Sequence, residues 1–413
     1  MSNAYKKTIQ QALGRDPVHP FPARMAPGIA LDILANEQDR IRVLDPMMGS
    51  GTVLAMARAS GHSAIGIDID PLAVLLARVW TTSVDKSEVR RVAACVLERA
   101  KDAFPERTVG DAYPRNADLE TRRFVRYWFD DYARRQLSSL AEAICDTKSE
   151  PVRDALWCAF SRLIITKQAG ASLAMDLSHS RPHRAFESAP IKPFNKFIAA
   201  VELVLKNCIA KDQPDRGPAT RTILGDAREL PIKTGSVDLV LTSPPYLNAI
   251  DYMRCSKFSL VWMGYTVSEL GSIRTESVGT ECGDQEARDD QDIREIISEL
   301  RLTPKLSTRH EAVLAHYIDD MMQAVGEAAR VLSPGGKAVY VVGENTVRGT
   351  FIPNAKIVAA VAERSGLNTD RRRARTLPAN RRYLPPPPAR HLTADSLDTR
   401  MRREVILSFS KPN

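Results

Sequence analysis

Ile41-Arg-Val-Leu-Asp-Pro-Met-Met-Gly-Ser-Gly-Thr52 joins a short β-branched run to a glycine-bearing turn and then to helical spacing over Thr52–Ala59. A second run, Ser63-Ala-Ile-Gly-Ile67, follows, so the segment reads as strand, helix, strand. Gly49 and Gly51 let the backbone turn tightly and let a ligand approach where a Cβ would intrude. Nineteen residues after Gly49 stands Asp68, at the end of the second run in Gly66-Ile-Asp-Ile-Asp70, where a carboxylate can accept from the two hydroxyls of a ribose. A plain strand–helix turn with an ordinary helix cap is the bland alternative; the terminal acid favours a nucleoside.

The turn excludes two familiar phosphate sites. No Gly-Lys-Ser or Gly-Lys-Thr follows it, and the third glycine of the dinucleotide fingerprint is replaced by Ala55 and Met56 inside a helix. The ligand is then a nucleoside without a pyrophosphate, and Asp45 is placed to face a cationic group on it. S-adenosylmethionine combines adenosine, an α-amino group and no phosphate.

Outward from this unit, Thr220–Leu224, Val237–Leu241, Lys337–Val342 and Glu404–Phe409 read as further strands. Helical segments separate them, notably Ala312–Leu332, which ends at Ser333-Pro-Gly-Gly336. The alternation predicts an α/β fold with a doubly wound, mostly parallel sheet. Residues 86–216 show helical periodicity, with helices expected over Ser87–Ala103, Thr121–Ile144, Pro151–Lys167 and Lys192–Ala210, and are read as a helical insertion. Residues 1–85 and 217–413 then form the two parts of the α/β domain, the second carrying a polar loop insertion at about 265–311.

The 413 residues are 44% hydrophobic and 26% charged, as in a soluble globular protein, and no apolar run is long enough to span a bilayer. The N-terminal residues lack the apolar core of a secretory signal, so a cytoplasmic location is expected. The six cysteines are too scattered for a zinc site or a disulfide framework, and no metal is expected. The formal net charge is +8, and its distribution says more than its size: residues 371–403 hold ten arginines against Asp395 and Asp398, whereas 281–300 hold eight acids against Arg288 and Arg294. The first stretch suits a polyanion and the second a solvated loop.

Thr242-Ser-Pro-Pro-Tyr246 follows the apolar run Val237–Leu241. Proline fixes φ and has no N–H, so this turn presents carbonyl oxygens in a preset geometry with few competing donors. Ser243 adds a hydroxyl acceptor and Tyr246 a flat face on which a heteroaromatic ring stacks. Such a turn accepts hydrogen bonds from an exocyclic amine and favours its pyramidal transition state by preorganised electrostatics, without a covalent nucleophile. Asn248, Asp251 and Tyr252 stand close behind, as pocket lining or as caps of the next helix.

These segments resemble the S-adenosylmethionine-dependent amino-group DNA methyltransferases of the N4-cytosine/N6-adenine superfamily, SPPY type. His19-Pro-Phe-Pro-Ala-Arg-Met25 is similar to the family's methionine-binding motif, Asp45–Thr52 to its cofactor loop, Gly66–Asp70 to its ribose acid and Thr242–Tyr246 to its catalytic motif. Leu224-Gly-Asp-Ala227 looks like the segment whose acid, Asp226, contacts the adenine amine. The resemblance implies a Rossmann-like fold with a seven-stranded sheet. It implies catalysis by Ser243, Pro244, Pro245 and Tyr246. Cofactor binding falls to Phe21, Ala23, Arg24, Asp45, Pro46, Gly49, Ser50, Gly51, Thr52, Asp68, Ile69, Asp226, Ala227 and Thr242. It further implies a DNA substrate whose target base flips out of the duplex, in a restriction or genome-marking setting, with cytosine N4 favoured over adenine N6 by the SPPY form. Two other readings stay open: an RNA guanine-N2 methyltransferase, and a silent nucleic-acid-binding protein of the same fold.

The longest insertion lies between Asp68 and Asp226, and which insertion meets DNA is open at this point, as is the oligomeric state. Arg122-Arg-Phe-Val-Arg-Tyr-Trp-Phe-Asp-Asp-Tyr-Ala-Arg-Arg135 interleaves arginines with aromatics, either as a phosphate grip or as an amphipathic helix with its rings in the core. The arginines of 371–382 are the candidates for backbone contact, and Ser178–Arg184 reads as a polar loop.

Overall fold

The short Val-, Leu- and Ile-rich runs become strands of one sheet. In a computed structural model that describes residues 8–22, 24–179, 182–211, 217–247, 251–280, 290–300, 307–347, 350–376 and 403–413, seven strands are laid side by side. They are β1 (Arg42–Asp45), β2 (Ser63–Asp68), β3 (Thr220–Leu224), β4 (Val237–Thr242), β5 (Leu332–Gly343), β6 (Asn368–Thr376) and β7 (Arg403–Ser410). Their order is β6-β7-β5-β4-β1-β2-β3. β1 runs parallel to β4, β4 to β5 and β2 to β3, while β7 is antiparallel to both β5 and β6. This is the mostly parallel, Rossmann-like arrangement expected from the alternation of strand and helix. The order turns back between β1 and β4, and at such a switch point an open α/β sheet binds its ligand beyond the carboxyl ends of its strands.

β6 was not anticipated. It holds Arg371, Arg372, Arg373 and Arg375, a composition foreign to a buried strand, but among the described residues it lies at the sheet's end and pairs with β7 alone, where charged side chains reach water.

The chain divides into two compact units. The first comprises Met1–Gln38, Met48–Leu224 and Asp251–Arg274. It carries β2 and β3 with α1 (Thr52–Ala59) and α2 (Pro71–Thr81), and five further helices: α3 (Lys86–Ala103), α4 (Leu119–Trp128), α5 (Asp131–Cys145), α6 (Glu150–Ile164) and α7 (Pro193–Asn207). Aspartates start three of them: Asp85, Asp118 and Asp130 each accept from backbone N–H groups of the first turn, which otherwise lack partners. Their apolar faces meet in a core built on Trp80, Leu137, Phe160 and Phe197, to which α8 (Met253–Leu260) adds Phe258.

The second unit comprises Asp39–Met47, Gly225–Ile250 and Thr275–Asn413 and carries the other five strands. Two helices occur where the polar composition suggested loop: Val267–Glu276 (α9), which belongs to the first unit as far as Arg274, and Gln291–Leu300 (α10), in the second. α10 is amphipathic: Ile293, Ile296 and Ile297 are buried at helical spacing while the acids face outward. The long α11 (Thr308–Val331) and α12 (Asn354–Arg364) complete this unit. No described helix is long and apolar enough to cross a membrane.

Candidate active site

In the first unit the turn after Met48 is shaped by its glycines. Gly49 has φ +50° and Gly51 φ +85°, both left-handed, and Gly51 caps α1. A Cβ on Gly51 would sit 2.8 Å from the Cβ of Ala77, so α2 approaches only because the side chain is missing. Asp68 closes the turn. Its Oδ2 accepts from the Gly49 N–H at 2.8 Å and its Oδ1 from the Asp70 N–H at 2.9 Å. Each oxygen keeps lone-pair capacity for a further donor, which is what two ribose hydroxyls require.

Burial, and then the charge of Asp70, push the Asp68 carboxyl up to about 7, against the backbone N–H groups of Asp70, Gly49 and Ile69 that favour its ionised form. Asp70 itself is structural: it caps α2 through the Leu72 N–H at 2.8 Å and accepts from the Ser256 hydroxyl at 2.5 Å. Thr52, at the start of α1, is buried, and its hydroxyl has no hydrogen-bond partner among the described residues. Left-handed glycines, a carboxylate with spare acceptor capacity and an unused buried hydroxyl fit the nucleoside part of S-adenosylmethionine.

The His19–Met25 segment docks in the same unit. Arg24 Nη2 donates to the His19 carbonyl, and its Nε lies 3.3 Å from the Ser50 Oγ, tying the motif to the glycine turn. His19 is buried, with Nε2 3.0 Å from the Ser161 hydroxyl; burial, then the charge of Arg162, holds its pKa well below the ordinary value, so the ring is neutral. The buried Phe21 stacks on Tyr252 at 6.0 Å between ring centroids. Ala23 lies outside the described residues.

In the second unit β1 and β4 pair in register, Val43 with Leu239 and Leu44 with Val240, so their carboxyl ends open at the same edge. There the Thr242 hydroxyl donates to Asp45 Oδ1 at 2.7 Å, and the Met47 N–H reaches the same oxygen at 3.2 Å. Asp45, Pro46 and Thr242 are buried. The proline turn follows at once. Ser243 Oγ donates to the Val341 carbonyl at 2.9 Å, which uses its hydrogen and leaves its lone pairs to accept. Pro244 is buried, whereas Pro245 and Tyr246 are half-buried. From α11, the buried Tyr317 donates its hydroxyl to the Pro245 carbonyl at 3.2 Å. Sequence gave no sign of Tyr317, 72 residues away. Asn248 lies outside the described residues.

Asp226 is more engaged than its motif suggests. Arg228 grips it through Nε at 3.1 and 3.0 Å and Nη2 at 2.6 Å, while Nη1 reaches the buried Asp320 at 2.6 Å. Arg228 Nη2 also donates to the Glu276 carbonyl at 2.6 Å, and the Gly279 N–H reaches Asp320 Oδ2 at 3.3 Å. Burial alone would lower the Arg228 pKa, but the bonds to Asp226 and the charge of Asp320 raise it overall. Ala227 is buried beside this cluster. Only the Asp-x-Arg spacing could have signalled it.

No protein-family model matches the chain. Among curated proteins it is similar to the Type II methyltransferase M.MvaI of Kocuria varians, 21% identical over 371 residues, covering 83% of this chain and 79% of the relative. It is also similar to the Type II methyltransferase M.MjaII of Methanocaldococcus jannaschii, 27% identical over 149 residues, covering 35% of this chain and 27% of that one. A solved S-adenosylmethionine-dependent methyltransferase from Methanosarcina mazei overlays with a TM-score of 0.32 at 10% identity, covering 92% of this chain and 97% of that one. The fold rests on the strand order above rather than on that overlay. The seven-stranded, mostly parallel sheet and its strand order define a Rossmann-like fold of the kind that S-adenosylmethionine-dependent methyltransferases have. The two relatives, both Type II methyltransferases, support the resemblance to the amino-methyltransferases drawn from the motifs.

Proposed function

We propose that the protein transfers a methyl group from S-adenosylmethionine to an exocyclic base amine of DNA, cytosine N4 by preference and adenine N6 otherwise. The DNA substrate, and a setting in restriction-modification or genome marking, are carried over from the Type II relatives. The observation that supports it best is the bond from Thr242 to Asp45 at 2.7 Å, which ties the head of the proline turn to the residue that opens the glycine turn.

The cofactor supplies an electrophilic sulfonium methyl. Gly49, Ser50, Gly51 and Thr52 cradle it, and Asp68 with Ile69 behind it accepts from the ribose. Phe21, Ala23 and Arg24 serve its methionine part, while Asp45, Pro46 and Thr242 face its cationic end. Asp226 and Ala227 serve the adenine, with the Asp226 carboxylate already oriented by Arg228.

The chain's own part in the chemistry is to receive the base. Leaving the stack costs a few kcal/mol, least for a base already unpaired. Tyr246 stacks on the extruded ring, while Ser243 Oγ and the Pro244 carbonyl accept from its amine. Pulling both N–H bonds out of the ring plane returns the lone pair to nitrogen, and fixed acceptors do this without reorganising. Positioning supplies most of the acceleration.

The test is to incubate the protein with methyl-labelled S-adenosylmethionine and separate DNA and RNA, digest to nucleosides and identify the labelled species. Label in N4-methylcytosine of DNA is expected. Label confined to RNA would overturn the proposal.

A further inference from the structure

We infer that the outer face of α4, with the short strand His183–Arg184 beside it, is the surface of the helical insertion that grips the phosphate backbone of duplex DNA. This rests on the DNA reading above and answers which insertion meets the substrate.

The arginine- and aromatic-rich stretch divides cleanly on the helix. Val125 is buried, and Phe124 and Trp128 pack against the core, with Phe258 5.2 and 5.0 Å from their rings. Arg123, Arg126 and Tyr127 lie three and four residues apart on the other side, all exposed. Tyr127 is 52% exposed, and the guanidinium of Arg184 lies over its ring at 5.3 Å. Arg184 is carried there by the pairing of His183–Arg184 with Ala174–Met175. Arg122, on the same helix, is committed to the protein through the Ala117 carbonyl and the Tyr113 ring.

Among the described residues, none of Arg123, Arg126 and Arg184 pairs with a carboxylate. Arginines elsewhere on these helices do: Arg90 with Glu202, Arg99 with Asp146 and Arg78 with Asp154. The acids nearby are Glu120, at the start of α4, and Asp176, which lies 3.7 Å from His183 Nδ1. Three forked cations and an exposed ring on one face leave a surplus of positive charge and of N–H donors. That is the chemistry of bidentate phosphate contact, with the ring packing on sugar or base.

The experiment measures binding of the full chain to a duplex oligonucleotide over a range of salt, for wild type, for Arg123→Ala/Arg126→Ala/Arg184→Ala, and for Arg91→Ala/Lys148→Ala/Lys206→Ala. The control removes as many exposed charges from other parts of the helical region. Every variant side chain is exposed, and S-adenosylmethionine affinity checks that the variants are folded. The face variant should bind less steeply with salt, the slope falling by about two to three for the lost contacts. The control should keep the wild-type slope. If wild type methylates DNA while the face variant keeps its slope, or if both triples fall alike, this inference is overturned and the function stands. If wild type binds no duplex, or binds RNA in its place, both fall.

Discussion

Tyr317 and Pro245 are joined by a 3.2 Å hydrogen bond from a buried phenol on α11 to a carbonyl inside the proline turn. Burial, and then the charge of Asp320, raise the Tyr317 pKa, so the phenol stays protonated and remains a donor at all ordinary pH. The turn is thus held from two sides, by Tyr317 at Pro245 and by Ser243 at the Val341 carbonyl.

Tyr317→Phe removes that donor and little else. Stability should fall by only about 1 kcal/mol. The maximal rate of methyl transfer should fall by about threefold to a hundredfold, the cost of a misplaced reacting group, with KM for S-adenosylmethionine unchanged. Steady-state kinetics with each substrate varied in turn checks it; an unchanged rate would mean that proline stiffness alone holds the turn.

Thr242→Val keeps the shape of the side chain but leaves the buried Asp45 carboxylate without its hydroxyl donor. A loss of about 1–3 kcal/mol is expected, read from the urea midpoint at constant m. Thr242→Ser should recover most of it.

Gly51→Ala is expected to cost about 1–3 kcal/mol, because the new Cβ meets a left-handed backbone as well as Ala77. The companion change Ala77→Gly should relieve the contact but not the conformation, so the double variant should recover part of the loss. Chemical denaturation of the four proteins closes the cycle.

Asp68 predicts a pH dependence whose sign can be worked out. Its folded pKa of about 7 lies above the ordinary aspartate value of 3.8, so between those values the folded chain holds a proton that the unfolded chain has lost. This group's contribution to stability is therefore greatest at low pH and is lost as pH rises to about 7. Ribose hydroxyls donate to the ionised form, so affinity for S-adenosylmethionine should rise through the same range, from roughly a tenth of its plateau at pH 6 to the plateau above pH 8. Calorimetric titration at several pH values checks this, and the rise should vanish in Asp68→Asn.

Local patterns were legible where local physics fixes them. The glycine turn, the acid nineteen residues beyond Gly49 and the proline turn depend on φ values and strand ends that neighbouring residues determine, and the strands that carry them were visible as apolar runs. The partners of those turns were not. Tyr317 and Val341 reach the proline turn, and Asp320 reaches Arg228 beside Asp226, through packing across 72 to 98 residues, which no window registers. α10 was hidden by its acids although its three isoleucines keep helical spacing, and β6 was hidden by arginines that only an edge strand tolerates. Part of the acidic run and most of the arginines beyond Thr376 lie outside the described residues.

Ser243 gives the most direct test of the central claim, since its hydroxyl hydrogen is spent on Val341 and its oxygen is free to accept. Single-turnover methyl transfer to duplex DNA by Ser243→Ala, with S-adenosylmethionine affinity measured alongside, separates chemistry from binding. Transfer slower by about a hundredfold at unchanged cofactor affinity is the expected result. Transfer at the wild-type rate would contradict the assignment of the proline turn as the place where the amine is methylated.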